Sequence, residues 1–209
     1  MQRPMVVPPN VFSRNDMPGK SMKDPKVAMR RLFRGSRSAF VARLSMGERE
    51  RLEGDLAAIV APLLGGDRVI ASYAAVGAEI DPCGIEGAIP RMVAFPRVTG
   101  RDMAFHVAAR AGLRPRTLGI PEPDAGAPQV TASLLLVPLL AVTPAGIRLG
   151  QGGGYYDRML QTLRGNGRVT AIGIAWDVQV VDTLPREPWD ELLDWVATPT
   201  RLVDCRKGR

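Results

Sequence analysis

Apolar residues recur at helical spacing in the first part of the chain and at strand spacing over much of the remainder. Val27, Leu32, Phe33 and Phe40 predict a helix beginning near Asp24, with Pro25 at its first position. Lys26 and Arg30, four residues apart, share its polar side and can reach one polyanion together. A second helix is predicted after Ser45, whose hydroxyl and the carboxylate of Glu48 form a capping box; it runs through Leu52, Leu56 and Val60 to about Leu64, ahead of Gly65-Gly66. The period then changes. Val69 to Ala74, Val93 to Phe95, Met103 to Val107, Leu134 to Val137 and Val169 to Ala175 read as strands, with a proline-stiffened loop at Gly119 to Asp124. Helical spacing returns at Tyr156, Met159, Leu160 and Leu163. This alternation predicts an α/β fold: a single open mixed, mostly parallel sheet flanked by helices, of the three-layer α/β/α type. Residues 1–22 are expected to be a flexible extension, 23–204 a single α/β domain, and 205–209 a basic tail.

Composition narrows the function classes. The chain has 209 residues, 45% of them hydrophobic, enough for one sizeable core. Its apolar runs fall short of the roughly 20 residues needed to span a bilayer, and Met1 to Lys23, with four prolines, lacks the apolar stretch of a secretory signal, so a cytoplasmic protein is expected. Cys83 and Cys205 are the only cysteines and His106 the only histidine, which excludes a disulfide scaffold and any site built on several histidine ligands. The net charge of +7 raises the question of nucleic acid, but aromatic residues are 5% of the chain and no RNA- or DNA-binding signature occurs; small anionic ligands, not nucleic acid or membrane, are the expected partners. A monomer or weak dimer is expected.

The densest chemistry lies in Arg148-Leu149-Gly150-Gln151-Gly152-Gly153-Gly154-Tyr155-Tyr156-Asp157. Glycines let successive backbone N–H groups converge on phosphate oxygens, Arg148 offers a fork of donors, and Asp157 offers a hard oxygen ligand for Mg²⁺. The segment enters a helix N-terminus, where anions are favoured. It is neither a Walker A motif nor a dinucleotide fingerprint. Glu79 and Asp81 follow the first strand, at the end of the sheet where open α/β folds bind ligands, although Asp81-Pro82 also reads as a helix cap. Asp190, in Glu187-Pro188-Trp189-Asp190, can meet Asp157 across a magnesium ion if the fold joins their loops; a helix cap is the competing reading.

With these elements in order, the chain resembles the 5-formyltetrahydrofolate cyclo-ligase family, from about Lys26 to Val203. Lys26-x-x-x-Arg30, Glu79-Ile80-Asp81, Met103-x-Phe105, Gly119-Ile120-Pro121-Glu122-Pro123, Val137-Pro138, the Arg148 to Asp157 element and Glu187-Pro188-Trp189-Asp190 with Asp194 carry the likeness. The resemblance implies ATP- and Mg²⁺-dependent cyclisation of 5-formyltetrahydrofolate to 5,10-methenyltetrahydrofolate, with release of ADP and phosphate. It implies that Lys26, Arg30, Arg148 and the stretch Leu149, Gly150, Gln151, Gly152, Gly153, Gly154, Tyr155 and Tyr156 hold ATP. Asp157 and Asp190 would serve Mg²⁺, and Ala74, Glu79 and Gln151 to Tyr155 would contact folate, with Glu79 on the pterin's N–H groups. Arg148 and Tyr155 are the implied catalytic residues.

Two positions depart from the family pattern. Trp189 stands where many members have histidine, and Gly153 where some have lysine, so Arg148, Lys26 and Arg30 carry more of the phosphate charge. The competing readings are a non-catalytic folate- or nucleotide-binding regulator, an RNA-binding protein using the basic first helix, and an ATP-dependent enzyme for another N-formyl or amide compound.

Overall fold

A computed structural model describes residues 25–66, 68–89, 92–116 and 119–208; the expected extension over residues 1–22 lies outside them. Two helices, α1 (Pro25–Val41) and α2 (Met46–Val60), lead into β1 (Ile70–Ala71), the short α3 (Cys83–Gly87), then β2 (Ala94–Thr99) and β3 (Asp102–Val107). Three short strands come next: β4 (Arg114–Pro115), β5 (Pro121–Glu122) and β6 (Gln129–Val130). The second half holds β7 (Leu134–Pro138), β8 (Ala141–Val142), β9 (Arg148–Leu149), α4 (Tyr155–Asn166), β10 (Thr170–Ile174), β11 (Trp195–Thr198) and β12 (Arg201–Asp204).

Eight strands form one sheet in the order β12-β11-β10-β7-β1-β2-β3-β6. The five central strands, β11, β10, β7, β1 and β2, pair in parallel, while β12, β3 and β6 join through antiparallel pairs. Strand alternation divides the core into two layers. Leu134, Leu136, Ile172 and Ile174 face Leu56 and Val60 of α2 and Ile85 of α3. Leu135, Val137, Ala171 and Val196 face Leu160 and Leu163 of α4 on the other side. A central strand buried on both faces must be apolar throughout, as Leu134 to Val137 is. The three-layer α/β/α expectation holds.

Local details agree with the sequence, with several corrections. The capping box of α2 is present: Ser45 N–H donates to Glu48 Oε2 at 2.9 Å and Glu48 N–H to Ser45 Oγ at 3.3 Å. Asp81 accepts the Cys83 N–H at 3.0 Å at the start of α3. Against expectation, Val27 and Leu32 are 54% and 42% exposed; the inward stripe of α1 is Lys26, Met29, Phe33 and Arg37. Two cations lie on the buried face because the surface beneath presents carboxylates to them, with Phe33 and Met29 packed against Leu140, Ala141 and Leu149. The strand expected over Val69 to Ala74 is a two-residue ladder, extended by a bond from Ser72 N–H to Ala94 O at 2.8 Å. Residues Cys205–Gly208, read from sequence as a tail, form a 3₁₀ turn in which Cys205 is buried.

The topology creates one crevice. From β1 the chain crosses through α3 to β2 on one side, whereas β7 leads through α4 to β10 on the other. Connections that leave two adjacent parallel strands in opposite directions open a gap beyond their carboxyl ends. The segments after β1 (Tyr73, Ala74) and at the end of β7 (Pro138) line that gap.

Candidate active site

A cavity of about 830 Å³ fills the crevice. Its walls include Lys26 and Arg30 from α1, Ala74 and Glu79 after β1, Arg148 and Leu149 of β9, Gly150 to Gly154 of the turn, Tyr155, Tyr156 and Asp157 of α4, and Asp190. The residues that the resemblance implied for binding or catalysis thus line one cavity, whereas Asp81 lies outside it, on the Cys83 N–H and Arg110.

The glycine turn owes its path to sequence. Gly152 has φ +107° and Gly154, the N-cap of α4, has φ +67°, a region that residues with a Cβ rarely enter. A Cβ on Gly152 would sit 3.3 Å from the Arg30 guanidinium, so α1 lies directly over the turn. Arg30 Nε donates to Gly150 O at 3.2 Å, and Arg34 Nη2 to Gln151 Oε1 at 2.7 Å. The positive end of α4, a 12-residue helix, opens toward the cavity through this turn.

Opposite charges are already matched across the site. Lys26 Nζ lies 2.6 Å from both Glu187 Oε2 and Asp190 Oδ2. Burial works against its charge, but the hydrogen bonds and attraction of Asp190 and Glu187 outweigh burial and raise its pKa above the ordinary lysine value. Arg148, buried in the wall, donates from Nη2 to Asp157 Oδ1 at 2.6 Å, and Asp157 also accepts the Glu191 N–H at 3.3 Å. Asp157 and Asp190 are therefore each paired with a cation, and neither takes part in a cluster of three or more His, Cys, Asp or Glu side chains suited to a metal among the described residues.

Glu79 is held from three sides. Its carboxylate accepts the Val76 N–H at 3.1 Å, Gln151 Nε2 at 3.4 Å and Arg37 Nη1 at 3.5 Å. Its loop is pinned by Trp176 Nε1, which donates to Ala78 O at 3.0 Å, and by Arg49 Nη2, which donates to Glu79 O at 2.9 Å. Tyr155 OH donates to Gly100 O at 3.1 Å, with the Arg158 guanidinium 5.2 Å above its ring. Burial pushes the pKa of the Tyr156 phenol well up and keeps it neutral; its OH has no hydrogen-bond partner among the described residues.

Several lining residues had no role assigned from the sequence, although Met103, Ile120, Glu122 and Glu187 belong to its quoted motifs. Arg34, Arg101 and Arg158 add cations, Glu122 and Glu187 add carboxylates, and Pro96, Val98, Met103 and Ile120 make an apolar wall. Trp189 stands at the cavity with 65% of its surface exposed. Glu187 carried a usable signal, since a carboxylate three residues before Asp190 shares its turn; nothing in the sequence sets Arg37, which bonds Glu79, apart from the other arginines of α1. His106 is structural, its Nδ1 2.7 Å from Ala127 O.

The chain matches the model of the 5-formyltetrahydrofolate cyclo-ligase family over residues 42–199 of 209. It belongs to that family. The match begins after Lys26 and Arg30, so for these two the geometry of the cavity is the independent observation. A 5-formyltetrahydrofolate cyclo-ligase of Escherichia coli is 44% identical over 69 residues, 33% of this chain and 37% of the relative. Another, from Mycolicibacterium smegmatis, is 39% identical over 98 residues, 46% of this chain and 47% of the relative. The chain thus spans less than half the length of these curated relatives in the matched segments. Solved structures agree over a longer range. The 5,10-methenyltetrahydrofolate synthetase of Aquifex aeolicus superposes with a TM-score of 0.73 at 27% identity, covering 88% of this chain and 94% of that one. A 5,10-methenyltetrahydrofolate synthetase of Mycoplasma pneumoniae shares the fold at 24% identity, with a TM-score of 0.62 over 83% of this chain and 98% of that one.

Proposed function

We propose that this family member is a cyclo-ligase that converts 5-formyltetrahydrofolate and ATP into 5,10-methenyltetrahydrofolate, ADP and phosphate, acting in the cytoplasm. The observation that carries this reading is that one cavity is lined by two dissimilar sets of residues. Lys26, Arg30, Arg148 and the glycine turn suit a triphosphate; Ala74, Glu79 and the apolar residues Pro96, Val98, Met103 and Ile120 suit a flat ring bearing N–H groups.

The chemistry needs such a site. A formyl oxygen leaves poorly, so its phosphorylation by the γ-phosphate converts it into a phosphate leaving group. The folate's N10 then attacks the iminium carbon, the C–O bond breaks, phosphate departs and N10 loses its proton. Phosphoryl transfer relies on positioning and charge neutralisation more than on a covalent protein group, in keeping with a site that holds neither histidine nor cysteine. Lys26, Arg30 and Arg148 would take phosphate oxygens, and the turn's N–H groups with the α4 N-terminus would take the remainder. Tyr155, at the first turn of α4, would orient the substrate.

The residues present fit Mg²⁺. Hard oxygens from one or two carboxylates completed by phosphate oxygens are its usual donors, and Asp157 and Asp190 line the same cavity. Lys26, which pairs with Glu187 and Asp190, would turn to the phosphates when the ion takes Asp190. When bound, the ion would neutralise triphosphate charge.

The test is absorbance at the methenyl-folate band after mixing protein, 5-formyltetrahydrofolate, ATP and Mg²⁺, with Asp157→Asn in parallel. An ATP-dependent rise that the variant lacks supports the reading. Folate binding with no rise in the wild type would replace it with a binding protein or another substrate.

A further inference from the structure

The loop Gly119 to Pro123 brings into the cavity wall a residue that the proposed chemistry leaves unused. Glu122, on β5, is only 2% exposed, and its Oε1 has no hydrogen-bond partner among the described residues. The loop is fixed in place: β5 pairs with β4, Arg114 opposite Glu122, and Arg97 Nη1 donates to Pro123 O at 2.6 Å. Buried polar atoms are nearly always paired, and a buried carboxylate oxygen without a donor costs stability.

The cavity's cations do not supply that donor. Lys26 holds Glu187 and Asp190, Arg148 holds Asp157, and Arg158 donates to the carbonyls of Arg101 and Gly153. Glu79, by contrast, already accepts three protein donors. Glu122 lines the cavity together with Pro96, Val98, Met103 and Ile120, and its strand β5 packs against β2, which carries Pro96 and Val98; these apolar surfaces suit the face of a flat heterocycle. A carboxylate accepts hydrogen bonds and, when ionised, cannot donate one. A ring seated on those surfaces and offering N–H groups at its edge would supply what Glu122 lacks.

We propose that Glu122 is a specificity-determining residue that accepts hydrogen bonds from N–H groups of the substrate's pterin, as a second carboxylate beside Glu79. This rests on the reading that the cavity takes a reduced folate. An unpaired carboxylate retained in a buried position, at a cost to the free protein, is the pattern of a group kept for a ligand.

The test compares wild type with Glu122→Gln, which keeps the shape but removes the charge and one acceptor. Affinities are measured by calorimetry for 5-formyltetrahydrofolate, for p-aminobenzoylglutamate, which has the tail without the pterin, and for ATP. The variant should bind 5-formyltetrahydrofolate about tenfold or more weakly, the loss of a charge-assisted hydrogen bond. Its affinities for p-aminobenzoylglutamate and ATP should be unchanged, and its melting temperature should equal or exceed that of wild type, because a buried unpaired charge has gone. Unchanged affinity for 5-formyltetrahydrofolate overturns the proposal. So does parallel loss of all three ligands, or a variant that fails to fold, since either would make Glu122 structural. The outcomes separate from those for the activity. Wild-type turnover with an indifferent Glu122→Gln sinks this assignment alone, selective weakening without turnover sinks the cyclisation alone, and a wild type that does not bind 5-formyltetrahydrofolate sinks both.

Discussion

Replacing Lys26 by methionine should produce two opposite effects from one atom. The lost ammonium makes 2.6 Å contacts with both Glu187 Oε2 and Asp190 Oδ2. A hydrogen bond to a charged group contributes about 1.5–3 kcal/mol. The Glu187 side chain is 44% exposed, so solvent screening reduces its share to the ~0–1 kcal/mol of a surface pair, whereas Asp190, 13% exposed, keeps most of its value. Methionine retains the apolar stem's packing, which leaves a net loss of about 2 kcal/mol. For a domain of this size that lowers the melting temperature by roughly 4–8 °C in EDTA. Without the ammonium, the two carboxylates become a better place for a divalent ion. Lys26→Met should therefore bind Mn²⁺ more tightly than wild type in the absence of nucleotide, measured by electron paramagnetic resonance, and recover part of its melting temperature when Mn²⁺ is added. Its ATP affinity should fall, because a phosphate cation is gone. The pH dependence has a definite sign. The folded pKa of Lys26 is raised above 10.5, so its contribution is full below pH 10.5 and disappears as pH rises through the folded value. The stability gap between wild type and variant should be constant from neutral pH to about 10 and close above that. A variant that melts like wild type in EDTA, or gains no affinity for Mn²⁺, would refute the argument.

Arg148→Ala should lower the rate of methenyl-folate formation by about 10³–10⁵, the range for arginines that stabilise transferring phosphoryl groups; near-normal turnover would remove it from that role. Gly173→Ala places a Cβ 2.5 Å from Leu193 Cδ1 and 3.0 Å from Leu139 Cδ2 in the core, and should cost about 1–3 kcal/mol in urea unfolding with little change in ATP affinity. Leu56→Ala, at a fully buried position of α2, should cost about 2–5 kcal/mol by the same measurement.

The sequence was most legible where one physical rule governs. Leu134 to Val137 is apolar throughout because both of its faces are covered, and Ser45 with Glu48 announces a cap that needs nothing from the rest of the molecule. It misled where tertiary charge overrode hydrophobic pattern. In α1 the apolar residues Val27 and Leu32 face outward, while Lys26 and Arg37 are buried, because carboxylates more than 40 residues away in the chain meet them. Trp195 to Thr198 and Arg201 to Asp204 went unpredicted as strands. Trp195 to Thr198 pairs on both sides, and Arg201 to Asp204 at the sheet edge is only partly buried, so it shows little apolar alternation. The site's members were readable singly. That Lys26 would clasp the Asp190 turn, and that Glu122 would line one cavity with Glu79, depends on crossings that only the folded chain supplies.

The exposed Trp189 also gives the protein its own optical probe. Of the three tryptophans, Trp176 is fully buried and hydrogen-bonded to Ala78, and Trp195 is half-buried under the Arg206 guanidinium. Only Trp189 lines the cavity, one residue from Asp190 and two from Glu187. Its emission should start red-shifted in water and change as a nucleotide arrives beside it, while the other two supply a steady background. Binding at this site can then be followed by intrinsic fluorescence without a label, with Trp189→Phe as the blank.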